Sequence, residues 1–387
     1  MPPAVTTERD LRLDLFRGLA LWLIFLDHIP SNAVNWITIR NYGFSDATEI
    51  FVFISGFTAA FVYGRAMREH GLIVAGARVL KRAWQIYIAH IFLFAIYLAE
   101  IGYVTHAFEN PLYSEEMGVL SFLQNPDVTV LQAMLLKFKP VNMDVLPLYI
   151  ALLLGFTPAL WLLLRAPNIA LAASASLYAL MWEFQWNIPA YPDGYWYFNP
   201  FAWQLLFVFG AWCALGGAQR LGPWINSRIV LAVAIGYLLF AFAIAMTWHV
   251  PRLAAFVPRA VADLIYPIDK TNLDVLRIAH FLSLAIIVLW IVPRGAPWLK
   301  SLAFWPAIVC GQHSLETFCL GVFLSFAGHF IFTEISDGLM TQILVSAAGI
   351  AIMIGTAWLL SWYKRVEKRG SGPRPPAQMP SLAGGKA

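Results

Sequence analysis

The sequence predicts an all-α, polytopic integral membrane helical bundle of about ten transmembrane helices with both termini cytoplasmic. Three observations predict it. Of 387 residues, 60% are hydrophobic and only 12% are charged, too little charge to cover a soluble protein of this size. Mostly apolar runs of about 20 residues recur along the chain, the length a helix needs to cross the hydrocarbon core. Lysine and arginine are also distributed unevenly between alternate connections.

Ten segments meet the length requirement, near 12–29, 46–64, 83–104, 144–164, 168–186, 200–217, 229–248, 273–292, 303–328 and 339–362. The first, RLDLFRGLALWLIFLDH, carries Asp14, Arg17, Asp27 and His28. Each ionisable group at mid-helix costs about 2.5–3.5 kcal/mol on insertion scales, so these four require an explanation. The second opens GFSDATEIFVFISGF, where Ser55 and Gly56 suit close helix packing. The ninth holds Gly311, Gln312, His313 and Glu316, and is expected to face protein rather than lipid. Between the third and fourth, residues 115–139 form a long connection. Its PDVTVLQAMLLKF stretch is too short to span and is expected as an interfacial or re-entrant helix. The membrane domain is expected over 1–363, followed by a disordered basic cytoplasmic tail at 364–387. No small-residue cleavage site follows the first apolar run, so the first helix is expected to stay in the protein.

With the N-terminus inside, 18 of the 26 lysines and arginines fall on the cytoplasmic side, six fall outside, and Arg17 and Arg277 lie in or near spans. This bias holds loop by loop except between the seventh and eighth segments. The outer connections are then 30–45, 105–143, 187–199, 249–272 and 329–338. They are rich in Trp, Tyr, Asn and Asp, as in AYPDGYWYFNPFAWQ, which includes Asn199, Trp203 and Gln204. Aromatic faces beside hydrogen-bonding groups suit carbohydrate recognition. An aromatic belt at the headgroup level is the alternative reading.

Some chemistries have no support. Cys213, Cys310 and Cys319 lie in apolar segments without metal-ligand spacing, and read as small core residues. No metal site, bound cofactor or nucleic-acid partner is expected.

At 100° per residue, Arg17 and His28 lie about 20° apart on one helix face, and Asp14 about 60° from Arg17, while Asp27 points elsewhere. Arg17 and His28 are separated by about 16 Å along the axis. Such a stripe must face the bundle interior or a wet cavity. A buried, salt-bridged helix contact is the plainer alternative. His28 is the telling member because imidazole exchanges protons near neutral pH. Asp46 and Glu49, spaced i, i+3 at the start of the second segment, enter from the same side. They are expected to orient His28 as a carboxylate orients a catalytic base.

Arg17, ten intervening residues and His28 resemble the first-helix signature of the membrane acyltransferase type-3 superfamily. The set RLDLFRGLAL, SDATEIFVFISGF, FKPVNMDVLPLYI and FNPFAWQLLFVFG resembles one branch in particular, the OpgC family, which succinylates osmoregulated periplasmic glucans. GQHSLETF is similar to that family's penultimate helix. The resemblance implies a bacterial inner-membrane enzyme with acyl-CoA, succinyl-CoA foremost, as cytoplasmic co-substrate and a periplasmic glucan as acceptor. It implies His28 as general base, with Glu49 or Asp46 orienting it. Arg17, held by Asp14, suits the acyl-CoA side. Arg65 and Arg82 would grip nucleotide phosphates or simply obey the positive-inside bias. Asn142 and Asn199 are oxyanion candidates, Asp144 an N-cap or sugar ligand, and His313 either lines the same cavity or pairs with Glu316. His280 reads as a buried polar contact. The alternative class is a proton-coupled transporter of a small polar solute, although no paired halves are visible. Membrane lipid surrounds the chain in either case. The acyl group, the choice of direct transfer over an acyl-enzyme, and the oligomeric state stay open.

Overall fold

The computed structural model describes residues 10–110 and 112–370, which are almost wholly helical. The described residues contain no strand, only an isolated bridge between Pro189 and Tyr195. α1 (Leu11–His28) begins where the Asp10 side chain accepts from the Arg12 backbone N–H at 3.1 Å. It ends at Ile29, whose extended backbone is the conformation favoured before Pro30.

α2 (Ala47–Ala107) has 61 residues and would be about 90 Å long if straight, roughly three times the hydrocarbon thickness. It is broken at Gly71, where φ is +82° and ψ 177°. Residues on either side of the break meet the same stretch of α3 (Val145–Arg165): Gly64 lies against Leu160 and Gly76 against Thr157. α2 is therefore a helical hairpin. Its two arms are the segments expected at 46–64 and 83–104, and its tip carries the basic stretch between them.

The chain continues through α4 (Pro167–Phe184), α5 (Pro200–Trp212), α6 (Arg228–His249) and α7 (Val275–Ile291). The segment expected at 303–328 is divided at His313 into α8 (Trp305–Gln312) and α9 (Ser314–Glu334). α10 (Leu339–Gly370) closes the order, and runs into the stretch expected as tail. The remainder of that tail, 371–387, lies outside the described residues. The connection expected to hold a non-spanning helix folds as Leu112–Glu116, Leu120–Gln124 and Pro126–Met134, each far too short to cross a bilayer.

Among the described residues, six helices are long and apolar enough to cross a membrane: α2, α3, α5 with its continuation to Ile225, α6, α9 and α10 to Glu367. The others among the expected ten are helical but fall short on length or composition. α1 carries Arg12, Asp14, Arg17, Asp27 and His28, α4 is diluted by Asn168, Ser174, Ser176 and Glu183, and α7 has 17 residues.

The centre is built by α1 against α2, α8 and α9, and by α2 against α3 and α5. Glycine sets two of these contacts. A Cβ on Gly56 would run into the Phe207 carbonyl oxygen, and one on Gly210 into that of Phe53, so α2 and α5 meet backbone to backbone. Gly18 and Gly311 do the same for α1 and α8, against Ala307 and Asp14. The expected packing role of Gly56 is thus seen directly.

Candidate functional site

At the end of the bundle where α1 finishes and α2 begins lies a cavity of about 890 Å³. Its walls come from the end of α1, the start of α2, and the connections before α2, before α3, before α5 and before α7. Asp27 and His28 line it, with Arg40, Asp46, Lys137, Lys139, Asn142, Asp144, Lys270 and Arg277 as the other polar groups used below. Tyr191, Tyr195, Tyr197, Phe198, Trp248 and Tyr266 supply aromatic surface. Every connection that contributes is one the charge distribution assigns to a single side.

His28 sits on this wall with Nδ1 buried and without a hydrogen-bond partner, which leaves Nε2 as the ring nitrogen open to the cavity. No ring hydrogen bond to His28 is present among the described residues. Its backbone is pinned, because Asn142 Nδ2 donates to the His28 carbonyl oxygen at 3.2 Å. Next to it, Thr38 donates to Asp27 Oδ1 at 2.8 Å and fixes the following loop to the helix end. The charges acting on the ring are those of Lys270, Asp46 and Arg40.

Asp46 and Glu49 do not orient His28. They form a reciprocal N-cap of α2: Thr48 N–H donates to Asp46 Oδ1 at 2.8 Å, and Asp46 N–H to Glu49 Oε2 at 2.9 Å. Their remaining oxygens are taken by cations from the far end of the chain. Arg277 lies 2.6 Å from Glu49 and 3.3 Å from Asp46, and Lys270 lies 2.5 Å from Asp46. A buried carboxylate takes the partner that best compensates its charge, and a guanidinium does so better than imidazole. Burial works against the Lys270 ammonium, but Asp46, Tyr197 and Glu49 together outweigh it and hold the Lys270 pKa above its ordinary value.

The other expected residues separate into those at the cavity and those that build its walls. Asn142 and Asp144 line it, and Asp144 makes no side-chain capping bond at the start of α3. Asn199 does not face the cavity. Its Oδ1 caps α5 by accepting from Phe201 N–H at 3.1 Å, and its Nδ2 donates to Trp186 O at 2.6 Å and to Asn272 Oδ1 at 2.8 Å. With the amide fully engaged, no donor is left for an oxyanion. Trp203 is fully buried and donates to the Lys270 and Thr271 carbonyls at 3.2 and 3.1 Å. Asn199 and Trp203 therefore hold the loop that presents Lys270. Gln204 turns to α4, donating to Ser174 O at 2.9 Å. His313 lies at the other end of the molecule, where α8 packs on Asp14 through Gly311; its Nε2 meets Ser361 Oγ at 2.8 Å and its Nδ1 meets Lys364 Nζ at 3.4 Å. His280 is a buried polar contact, with Nδ1 2.7 Å from Ser45 Oγ.

Arg17 and Asp14 are buried at that other end. Arg17 lies 3.8 Å from Asp14 and donates to Thr58 Oγ1 at 2.5 Å. Arg65 and Arg82 project from α2 near its tip, Arg65 pairing with Glu69 at 2.8 Å and Arg82 donating to Gln85 at 3.4 Å. Tyr149 of α3 lies within electrostatic reach of both Arg17 and Arg82.

Arg40, Lys139 and Lys270, which sequence reasoning counted only as topology charges, and Arg277, which it set aside as lying in or near a span, are cavity groups. A single-sided charge count does not report which loop lysine turns inward. Lys139 gave no local signal: burial lowers its pKa to about 8, against the opposing charge of Asp144.

These features define a helical membrane protein with a charged, aromatic-walled cavity at one end of the bundle. Residues 9–365 match the family described as OpgC protein, nearly the whole chain, and the chain belongs to that family. Membership carries an acyltransferase-type role in periplasmic glucan modification. Among curated proteins and among solved structures, nothing matches the chain.

Proposed function

We propose that the chain is an O-acyltransferase of the bacterial inner membrane that moves a succinyl or other short acyl group from cytoplasmic acyl-CoA to a glucan hydroxyl in the periplasm. The cavity then faces the periplasm, and both termini face the cytoplasm. The observation that carries the reading is His28, an imidazole on the cavity wall with Nε2 open and no carboxylate partner, beside aromatic rings on which a sugar can stack.

In this reading Nε2 takes the proton of the sugar hydroxyl as its oxygen attacks the thioester carbonyl. The C–O bond forms, the C–S bond breaks, and the proton passes on to the departing thiolate. One base suffices for this direct transfer. Asn142 holds the His28 turn through its amide and lies beside the Tyr97 hydroxyl, at the edge of the reacting position. Asp46 and Glu49 act by fixing Lys270 and Arg277 in the wall. Arg17, with Asp14, takes an amide or phosphate of the donor as it enters from the opposite end, and Arg65 and Arg82 lie beyond for the nucleotide. The aromatic rim and Asp144 take the glucan.

The test is glucan ester content, read by mass spectrometry, in cells carrying His28→Ala, with abundance measured in the same membranes. Loss of a general base predicts a drop of about 10²–10⁴-fold at normal abundance. Ester content near the wild-type level overturns the assignment.

A further inference from the structure

The cavity wall carries five cations, Arg40, Lys137, Lys139, Lys270 and Arg277, against three carboxylates, Asp27, Asp46 and Asp144. Two of the cations are already compensated, Lys270 by Asp46 and Arg277 by Glu49 and Asp46. Arg40, Lys137 and Lys139 have no carboxylate within 4 Å among the described residues. Lys137 is exposed at the mouth. Lys139 is half-buried: its ammonium lies 4.4 Å over the Trp196 ring and donates once, to Leu136 O at 3.3 Å, with two further hydrogens to give. Arg40 makes no side-chain hydrogen bond or ion pair among the described residues, so its planar fork is uncommitted.

Both sit on built backbone. Arg40 belongs to the short turn Ile39–Asn41, held by Thr38 on Asp27 and by Asn41 Nδ2 donating to Asn35 O at 2.7 Å. Lys139 precedes the Asn142 that pins His28, and Tyr191 N–H donates to the neighbouring Lys137 carbonyl at 3.1 Å. A half-buried Lys139 and an exposed Arg40 on the same cavity wall, neither with a contacting carboxylate, are suited to an incoming anion. Arg40 and Lys139 line the same cavity as His28, and Arg40 is among the three charges that act on its ring.

We propose that Arg40 and Lys139 form a carboxylate subsite that selects an acyl group bearing a distal carboxylate over one that does not. The proposal rests on the acyl-transfer reading above. A dicarboxylic half-thioester places its free carboxylate a short methylene spacer from the carbonyl that meets His28. Arg40 receives that carboxylate through its fork, and Lys139 supplies the second charge. An uncharged acyl group leaves both cations without an anion.

The experiment uses the purified full chain in nanodiscs, with succinyl-CoA and acetyl-CoA in equal competition and a neutral β-glucan as acceptor. Esters are counted by mass spectrometry. Arg40→Gln and Lys139→Gln are expected to lower the succinyl-to-acetyl ratio about tenfold or more, since each removes charged hydrogen bonds to the carboxylate. Acetyl transfer should hold or rise, which also reports an intact fold, and Arg40→Lys, which keeps the charge but loses the fork, should keep only part of the ratio. An unchanged ratio, or a parallel fall of both esters, overturns the subsite alone. A wild-type chain inactive with both donors overturns acyl transfer and the subsite with it. If Arg40→Gln instead changes the preference for a carboxymethylated over a neutral glucan at constant donor ratio, the anion belongs to the acceptor and acyl selection is overturned.

Discussion

Arg277 Nε donates to Glu49 Oε1 at 2.8 Å, joining the first turns of two helices 228 residues apart in sequence. Glu49 is fully buried and Arg277 nearly so, so each charge depends on the other. Removing one partner of such a pair typically costs about 3–5 kcal/mol, because the survivor is left buried and uncompensated. Glu49→Gln and Arg277→Met should each lower the unfolding temperature sharply in detergent. The double variant should recover part of the loss, and a double-mutant cycle with no coupling would refute the pairing.

Glycine substitutions should divide by cause. Gly56→Ala places a methyl against the Phe207 carbonyl and should separate α2 from α5, at about 1–3 kcal/mol. Gly71→Ala meets nothing within 4 Å, yet its φ of +82° is closed to a Cβ-bearing residue, and the cost should also be about 1–3 kcal/mol. Gly102→Ala, in open space within the helix, should be neutral or mildly stabilising. Thermal unfolding of the three in one detergent checks the order.

Asn199→Ala should act through the loop rather than on the reacting atoms. It removes the α5 cap and the two amide bonds that hold Trp186 and Asn272, for about 1–3 kcal/mol of stability. Gln204→Ala should leave the apparent KM for glucan unchanged, because its amide faces Ser174 and not the cavity. A KM shift for Gln204→Ala would show that it reaches the acceptor after all.

Acyl selectivity should depend on pH. Burial brings the Lys139 ammonium to about 8, opposed by Asp144, so the group is a cation below that pH and neutral above it. The succinyl-over-acetyl preference should therefore fall as pH rises from 7 to 9. Lys139→Arg, which keeps its charge throughout, should flatten the profile. A flat wild-type profile would remove Lys139 from the subsite.

The sequence by itself determined the helical membrane class, the positions of the apolar helices, and the placing of His28 beside aromatic connections. Those properties are local: they follow from the length of apolar runs and the angle between residues on one helix. It also contained the Asp46–Glu49 cap in plain form, since an acidic residue followed three places later by glutamate before an apolar run is a helix-start signal. What only the tertiary structure decided was where the remaining carboxylate oxygens point. Arg277 and Lys270 claim them because a buried charge settles on its best compensating partner, and that partner lies more than 200 residues away. The same holds for the cations left over. Lys139 and Arg40 read as ordinary loop charges until the folded connections turn them into one cavity, where the partial burial of Lys139 gives its unmatched charge a consequence.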